Sequence, residues 1–353
     1  MSCNCYIVPL DVLKRFSNDP ELQEEIRKNF AFTLAVSQHI RPLREERAKL
    51  EQSIAGSELF PRLPIPYPFP RPKICKLPPS LVDNCNHTTS QPGTPVPNPS
   101  TSADATVKRA CNEAEAVAKF YCEVFGRDSI DNAHMTLLSS VHYSVRFNNA
   151  FWDGTHMTYG DGDGVVFVDF TLGNDVIGHE LTHGVTQHSA GFAYANEPGG
   201  LNESMSDVFG SMFRQWQANQ DVNHADWLIG HDIMGPHSTA AGYTCLRDMS
   251  NPAAAHCLAP QPTNFSQYHA GMDPHYSSGI PNFAFYKAAK AYGGHSWGNV
   301  GHVWYRALTG FPPSPNMLMS QFAARTRALS HSMFPADAAL QNAINAAWTA
   351  VGL

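Results

Sequence analysis

Two histidines four residues apart, with a glutamate directly after the first, constrain this chain more than any other feature. The run is His179-Glu-Leu-Thr-His183. On an α-helix, positions i and i+4 lie on one face, about 6 Å apart at Cβ. Two imidazoles so placed can share one ion at about 2.1 Å from each nitrogen. Glu180, rotated by roughly 100° from His179, stands beside such an ion without ligating it and reaches a water there. The flanking residues favour the helix. Asp175 falls in its first turn after Gly173-Asn174, and Val176, Ile177, Leu181 and Val185 make an apolar face. From the 17 His and 13 Glu of the chain, chance yields only about 0.03 such runs.

A structural zinc site closes with four protein ligands, whereas a catalytic one takes three and keeps a water. A third ligand is therefore expected from a carboxylate or histidine on a neighbouring element. Glu203 qualifies. It follows His183 in Gly200-Leu-Asn-Glu203-Ser-Met-Ser-Asp207, and no later Glu competes with it. Glu203 and Asp207 are i and i+4, so on one helical face Glu203 can ligate while Asp207 takes the free ring N–H of a ligating histidine. Asn202 is expected to cap or open this second helix.

Composition divides the chain. Residues 1–58 hold 17 charged side chains, against 38 in the remaining 295. Leu10, Leu13, Phe16, Leu22, Ile26, Phe30 and Leu34 recur at helical spacing, which predicts two or three short helices that pack on the rest. Between Pro61 and Pro99 there are 12 prolines in 39 residues, the composition of an extended linker with a strand or two. Helix resumes from Thr101 to Phe125 and ends at Gly126. Strands are expected in 135–145 and 164–170, around a turn-rich hairpin, and mostly helix after Asn174 with irregular loops at 230–282. The expected domains are 1–50, helical; 51–100, linker and start of the next domain; 101–189, β-rich with the histidine helix; and 190–353, α-helical.

A net charge of −7 and a pI near 6.2 argue against nucleic acid, which selects basic surfaces. No stretch of 18 apolar residues predicts a membrane span. The N-terminus lacks the basic-then-apolar pattern of a secretory signal, so synthesis in the cytoplasm is expected, with non-classical secretion as the export route left open. Of eight cysteines, Cys111 and Cys122 lie about 16 Å apart along one helix and cannot bridge each other. Cys245 and Cys257 flank a loop and can pair. No Cys-x-x-Cys occurs, which excludes a Cys-based zinc ribbon.

The His179–His183 and Gly200–Asp207 runs together resemble the thermolysin family of zinc endopeptidases. Asn149-Ala-Phe-Trp152 is similar to the family's substrate-holding edge strand, and Met157-Thr-Tyr-Gly-Asp-Gly-Asp-Gly164 to the hairpin after it. Tyr194, Leu246-Arg247-Asp-Met-Ser and His275-Tyr-Ser-Ser-Gly-Ile-Pro-Asn282 match further segments. The resemblance runs from about Phe120 to Leu353. It implies an α+β fold, with a β-rich domain and an α-helical domain joined by the zinc-binding helix. It also implies one zinc ion on His179, His183 and Glu203, with Glu180 as general base. Tyr194 and His275 would then hydrogen-bond the oxyanion, Asn149, the Ala150 carbonyl and Trp152 would hold a substrate strand, and Arg247 would bind a substrate carbonyl. Phe167, Val176 and Leu246 would line a pocket for a bulky apolar residue after the cut. The expected partner is a peptide or protein substrate, and the expected state a monomer.

Val8-Pro-Leu-Asp-Val-Leu, followed by a short charged helical stretch, resembles the small prosegment of protealysin-type members. This implies that residues 1 to about 50 act as an intramolecular inhibitor. A thiolate from Cys3 or Cys5 at the open zinc position is one expectation for these two residues, and incidental or mutually oxidised thiols the other. Three features depart from the family. Ala270 stands where an Asp usually partners the oxyanion histidine, which leaves Asp273 to orient His275. Arg214, Leu228 and His231 stand where acids build a double calcium site, so calcium dependence is expected to be weak or absent. The Pro-rich stretch fits poorly. Two rival readings are a latent zymogen acting mainly as a binding protein, and a zinc aminopeptidase. No Gly-x-Met-Glu-Asn-type amine-binding run precedes His179 to favour the latter.

Overall fold

The computed structural model describes residues 5–38 and 75–353. Its main sheet has strands β1 (Cys5–Tyr6), β2 (Ser80–Asn84), β3 (Thr94–Pro95), β4 (Leu137–Val141), β5 (Ala150–Trp152) and β6 (Met157–Tyr159). Their order is β1-β5-β6-β4-β2-β3. The β5–β6 hairpin is antiparallel, while β4 runs parallel to both β2 and β6.

The helices are α1 (Leu10–Ser17), α2 (24–38), α3 (Ala105–Phe125), α4 (Asn174–Gln187), α5 (Asn196–Gln217), α6 (Pro236–Ala240), α7 (Pro274–Ser277), α8 (Gly279–Tyr292), α9 (Asn299–Thr309), α10 (Met319–Met333) and α11 (Ala338–Ala350). A two-stranded ribbon, β7 (Leu228–Ile229) with β8 (Arg247–Asp248), lies in the long loop region. This is the expected α+β arrangement, with the sheet in the first part and helices in the second.

Parallel strands need a long crossover, and α3 supplies it between the β2–β3 pair and β4. The Asp104 side chain caps it by accepting from Thr106 N–H and Val107 N–H. Gly126, at φ 69°, ends it in the left-handed region. A Cys75–Cys122 disulfide ties the approach to β2 onto this helix, in keeping with the expectation that Cys111 and Cys122 do not bridge.

Residues 164–170 do not form the expected strand. Only Phe167 pairs, in an isolated bridge with Met234. The reason is local. Asp163 Oδ1 accepts from the backbone N–H groups of Val165, Val166 and Phe167, which removes donors that a neighbouring strand would need. Asn202 likewise does not cap the second helix, because α5 begins earlier, at Asn196.

The helical spacing read from Leu10 to Leu34 corresponds to α1 and α2. Val12, Leu13, Phe16, Leu22, Ile26 and Phe30 are buried in the same core as the rest of the molecule. The expected helix up to residue 50, the prolines from 61 to 72, Cys3 and the Cys5 side chain lie outside the described residues and side chains.

Helices α4 and α5 cross at glycine. A Cβ on Gly210 would stand 2.6 Å from the Asp175 carbonyl oxygen, and one on Gly178 would stand 3.0 Å from Gly210 Cα. Only hydrogen at both positions allows so close an approach. That approach sets the histidines of α4 against the acids of α5.

Candidate active site

His179 and His183 leave α4 on one face, and their Nε2 atoms stand 3.0 Å apart. Glu203 of α5 places one carboxylate oxygen 3.5 Å from each. All three side chains are fully buried. Each ring has its other nitrogen engaged. His179 Nδ1 donates to Asp207 Oδ1 at 2.8 Å, and His183 Nδ1 donates to Asn202 Oδ1 at 2.9 Å. Both Nε2 atoms therefore present lone pairs, and they face a carboxylate whose Oε2 makes no hydrogen bond. With no donor between the two Nε2 lone pairs and Oε2, these acceptors repel one another unless a cation joins them. The donor set, two imidazoles and a carboxylate, suits zinc.

Asp207 uses both oxygens. It holds His179 and takes two hydrogen bonds from Arg247, Nε at 2.8 Å and Nη2 at 2.7 Å, and one from Asn282 Nδ2 at 2.8 Å. Burial alone would raise its carboxyl, but the Arg247 guanidinium and His179 outweigh burial and hold it well below the usual carboxylate range. Glu180 Oε2 accepts from the Trp152 backbone N–H at 2.9 Å, which fixes the carboxylate beside the two histidines. Trp152 thus acts here through its backbone, while its indole N–H donates to Gln187.

Tyr194 O–H donates to Glu203 Oε1 and lies 3.4 Å from His275 Nε2. Burial, reinforced by the Glu203 charge, pushes its phenol far up, so it stays a donor. Asp273 caps α7 and holds His275 Nδ1 at 2.7 Å. This is the orienting partner that Ala270 cannot supply. Burial opposes a charged His275, but the Glu203 and Asp273 carboxylates prevail and raise it to about 9.

The N-terminal segment runs through this cleft. β1 adds antiparallel to the edge of β5, Tyr6 opposite Phe151. His275 Nε2 donates to the Tyr6 carbonyl at 2.6 Å, and Arg247 Nη1 donates to the Ile7 carbonyl at 3.1 Å. Ile7 N–H donates to the Ala150 carbonyl at 3.3 Å. The Asn149 side chain accepts from Val8 N–H at 3.0 Å and donates to the Val8 carbonyl at 3.2 Å.

Two family models match. The thermolysin metallopeptidase catalytic domain covers residues 81–187, and the thermolysin metallopeptidase alpha-helical domain covers residues 190–353. The chain belongs to the thermolysin-like metallopeptidases. It is 38% identical to an extracellular metalloprotease of Pectobacterium carotovorum subsp. carotovorum, over 71% of this chain and 74% of that protein. It is 36% identical to protease PrtS of Photorhabdus sp. (strain Az29), over 71% and 70%. Among solved structures it resembles the precursor of protealysin, a metalloproteinase from Serratia proteamaculans, with a TM-score of 0.81 at 30% identity over 99% of both chains. It is thus a zinc metalloendopeptidase.

Within this thermolysin-like metallopeptidase, Phe167, Val176 and Leu246 are all fully buried. Phe167 faces the rings of Phe16 and Phe30, 6.4 and 6.2 Å away, so the N-terminal helices cover it. Ser206, Asn282 and Gln261 also belong to the site, although no motif spacing marks them. Ser206 Oγ lies 3.0 Å from His183 Nδ1, and Gln261 Nε2 donates to the His275 carbonyl at 2.6 Å. Ser206 sits in the Gly200–Asp207 run and Asn282 in the His275–Asn282 run, but nothing in their spacing marks the contacts they make.

Proposed function

We propose that the enzyme cuts peptide bonds on the N-terminal side of bulky apolar residues, and that its own N-terminal segment blocks the cleft in the register of a substrate. The observation that carries this reading is the occupancy of residues 6–8. Four groups expected to bind a substrate, namely His275, Arg247, the Ala150 carbonyl and Asn149, hold that segment instead. Strand addition of this kind binds through main chain and leaves specificity to pockets. Ile7, the residue after the Tyr6 carbonyl, is completely buried, which fits an apolar residue after the cut.

Zinc, when bound, polarises the scissile carbonyl and lowers the pKa of a water toward about 7. Glu180 takes the proton from the attacking water and passes it to the leaving amine. His275 and Tyr194 donate to the developing oxyanion, each donor contributing about 3 kcal/mol. Asp207 and Asn202 fix the two ligand imidazoles, and Arg247 with Asn149 keeps the substrate strand in register. Residues 1 to about 50 form the inhibitory unit, and the catalytic part divides near residue 189. The Pectobacterium relative is an extracellular metalloprotease, which supports action outside the cell here as well.

The test compares the intact chain with the chain after proteolytic removal of its N-terminal segment, on peptides differing only in the residue after the cut. Activity is expected to rise on removal, to favour Leu, Ile or Phe over Asp or Gly, and to vanish with chelator or Glu180→Ala. Equal activity before and after removal would sink the inhibitor role, and persistent activity in Glu180→Ala would sink the mechanism.

A further inference from the structure

Away from the catalytic cleft, Cys245, His256 and Cys257 turn their side chains toward one another. Both cysteines are buried, at 0% and 1% exposure, and neither is in a disulfide. Their sulfurs stand 3.6 Å apart, and Cys245 Sγ is 3.7 Å from His256 Nδ1. All three ligand atoms lie within 4.8 Å of one another. Tetrahedral zinc with metal–sulfur bonds of about 2.3 Å and metal–nitrogen bonds of about 2.1 Å sets ligand atoms about 3.6–3.8 Å apart. The two separations match that spacing. A disulfide needs sulfurs at about 2.0 Å and gives His256 no part.

The surroundings support ligation. His256 Nε2 faces Asp248 Oδ2 at 3.3 Å, the carboxylate–imidazole pairing that orients metal-bound histidines, and its Nδ1, which faces Cys245 Sγ, is hydrogen-bonded to the Thr244 hydroxyl at 2.7 Å. The backbone frame is rigid. Thr244 N–H donates to the His256 carbonyl, Leu258 N–H donates to the Cys245 carbonyl, and Cys245 and Cys257 form a parallel bridge. Exposed Thr244 and half-buried His256 flank the opening, which leaves a fourth position for water once the Thr244 hydroxyl gives up its hydrogen bond to His256 Nδ1.

We infer that Cys245, His256 and Cys257 form a second metal site, selective for a soft divalent ion such as zinc. Its consequence is local. Cys245 lies two residues before Arg247, so an ion here braces the ribbon that presents Arg247 to the cleft.

Cobalt loading of the full-length protein under thiol-reducing conditions tests this. Sulfur-to-cobalt charge transfer gives a near-ultraviolet band that a two-histidine, one-glutamate site cannot produce. Wild type is expected to bind two cobalt ions per chain and to show the band. Cys245→Ser with Cys257→Ser is expected to bind one ion and lose the band. Cys3→Ser with Cys5→Ser keeps both ions and the band, which separates the site from the N-terminal thiols. His256→Gln weakens the band-forming ion at least tenfold. One ion per chain in wild type, a band that survives loss of Cys245 and Cys257, or a Cys245–Cys257 disulfide found by mass spectrometry under the same conditions overturns the inference.

Discussion

Asp207 shows how much one side chain carries in this site. It is buried, accepts from His179, Arg247 and Asn282, and so couples a zinc ligand to the arginine that holds main chain. Replacing it with Asn keeps the volume but removes the charge. Asp207→Asn is expected to weaken zinc 10- to 100-fold, read by chelator competition, and to raise KM as Arg247 loses its clamp. Glu180→Gln should separate the two functions. Zinc affinity should be nearly unchanged, because Glu180 is not a ligand, while kcat falls by about 10² to 10⁴-fold. A Glu180→Gln protein that loses its zinc would show that Glu180 serves the metal rather than the water. At this scale the sequence was informative wherever chemistry imposes spacing. His179, His183, Glu203 and Asp207 all follow from i, i+4 geometry. Asn282 reaches Asp207 across 75 positions, and no local pattern announces such a contact.

Among the elements, β1 and α1 hold the N-terminal segment in the cleft by two different means. β1 does so by main-chain hydrogen bonds, and α1 by the Phe16 ring, which is 3% exposed and packs edge-on 6.4 Å from Phe167. Phe16→Ala is expected to cost about 3–5 kcal/mol of packing. If the segment inhibits, peptidase activity of the intact chain should rise with it; unchanged activity would show that β1 alone suffices. A second element is pinned by charge. His142, just after β4, donates to Asp161 at 2.9 Å and to Asp104, the cap of α3, at 2.9 Å. Its hydrogen bond to Asp161, with Asp104 adding and burial opposing, raises it to about 9. A raised histidine contributes fully below its unfolded value near 6.5, and the contribution fades as pH climbs through about 9. Stability should therefore fall between about pH 6.5 and 9 by roughly 1–2 kcal/mol after solvent screening, and His142→Gln should flatten that slope in urea titrations. The helices were legible because a 3.6-residue period is local. The two-residue β1 was not, since its partner Phe151 is 145 positions away. The false strand at 164–170 shows the converse, an apolar run whose backbone donors Asp163 had already taken.

At the scale of the whole molecule, the junction of α4, α5 and the 221–232 loop is held by a cation that belongs to the chain. Arg214 of α5 reaches Asp232 at 2.6 Å, Asp226 at 3.3 Å and fully buried Asp175 at 3.7 Å. Asp175 Oδ2 also accepts from Gly230 N–H at 2.6 Å, tying the loop to the first turn of the zinc helix. Burial raises the Asp175 carboxyl, and Arg214 works against that shift. A guanidinium so placed does what a bound divalent ion does elsewhere: it neutralises clustered acids and joins separate elements. It cannot be removed by chelation. The unfolding midpoint of the zinc-loaded protein should thus be the same in millimolar calcium as with a calcium-selective chelator. Arg214→Ala leaves Asp175 buried without its counter-charge, and breaking such a pair costs about 3–5 kcal/mol, measurable by urea denaturation. Its effect should shrink at acid pH, where Asp175 binds a proton and no longer needs the arginine. A calcium-dependent midpoint in the unaltered chain would mean that Arg214 does not fill the cationic position, and that another site holds the ion.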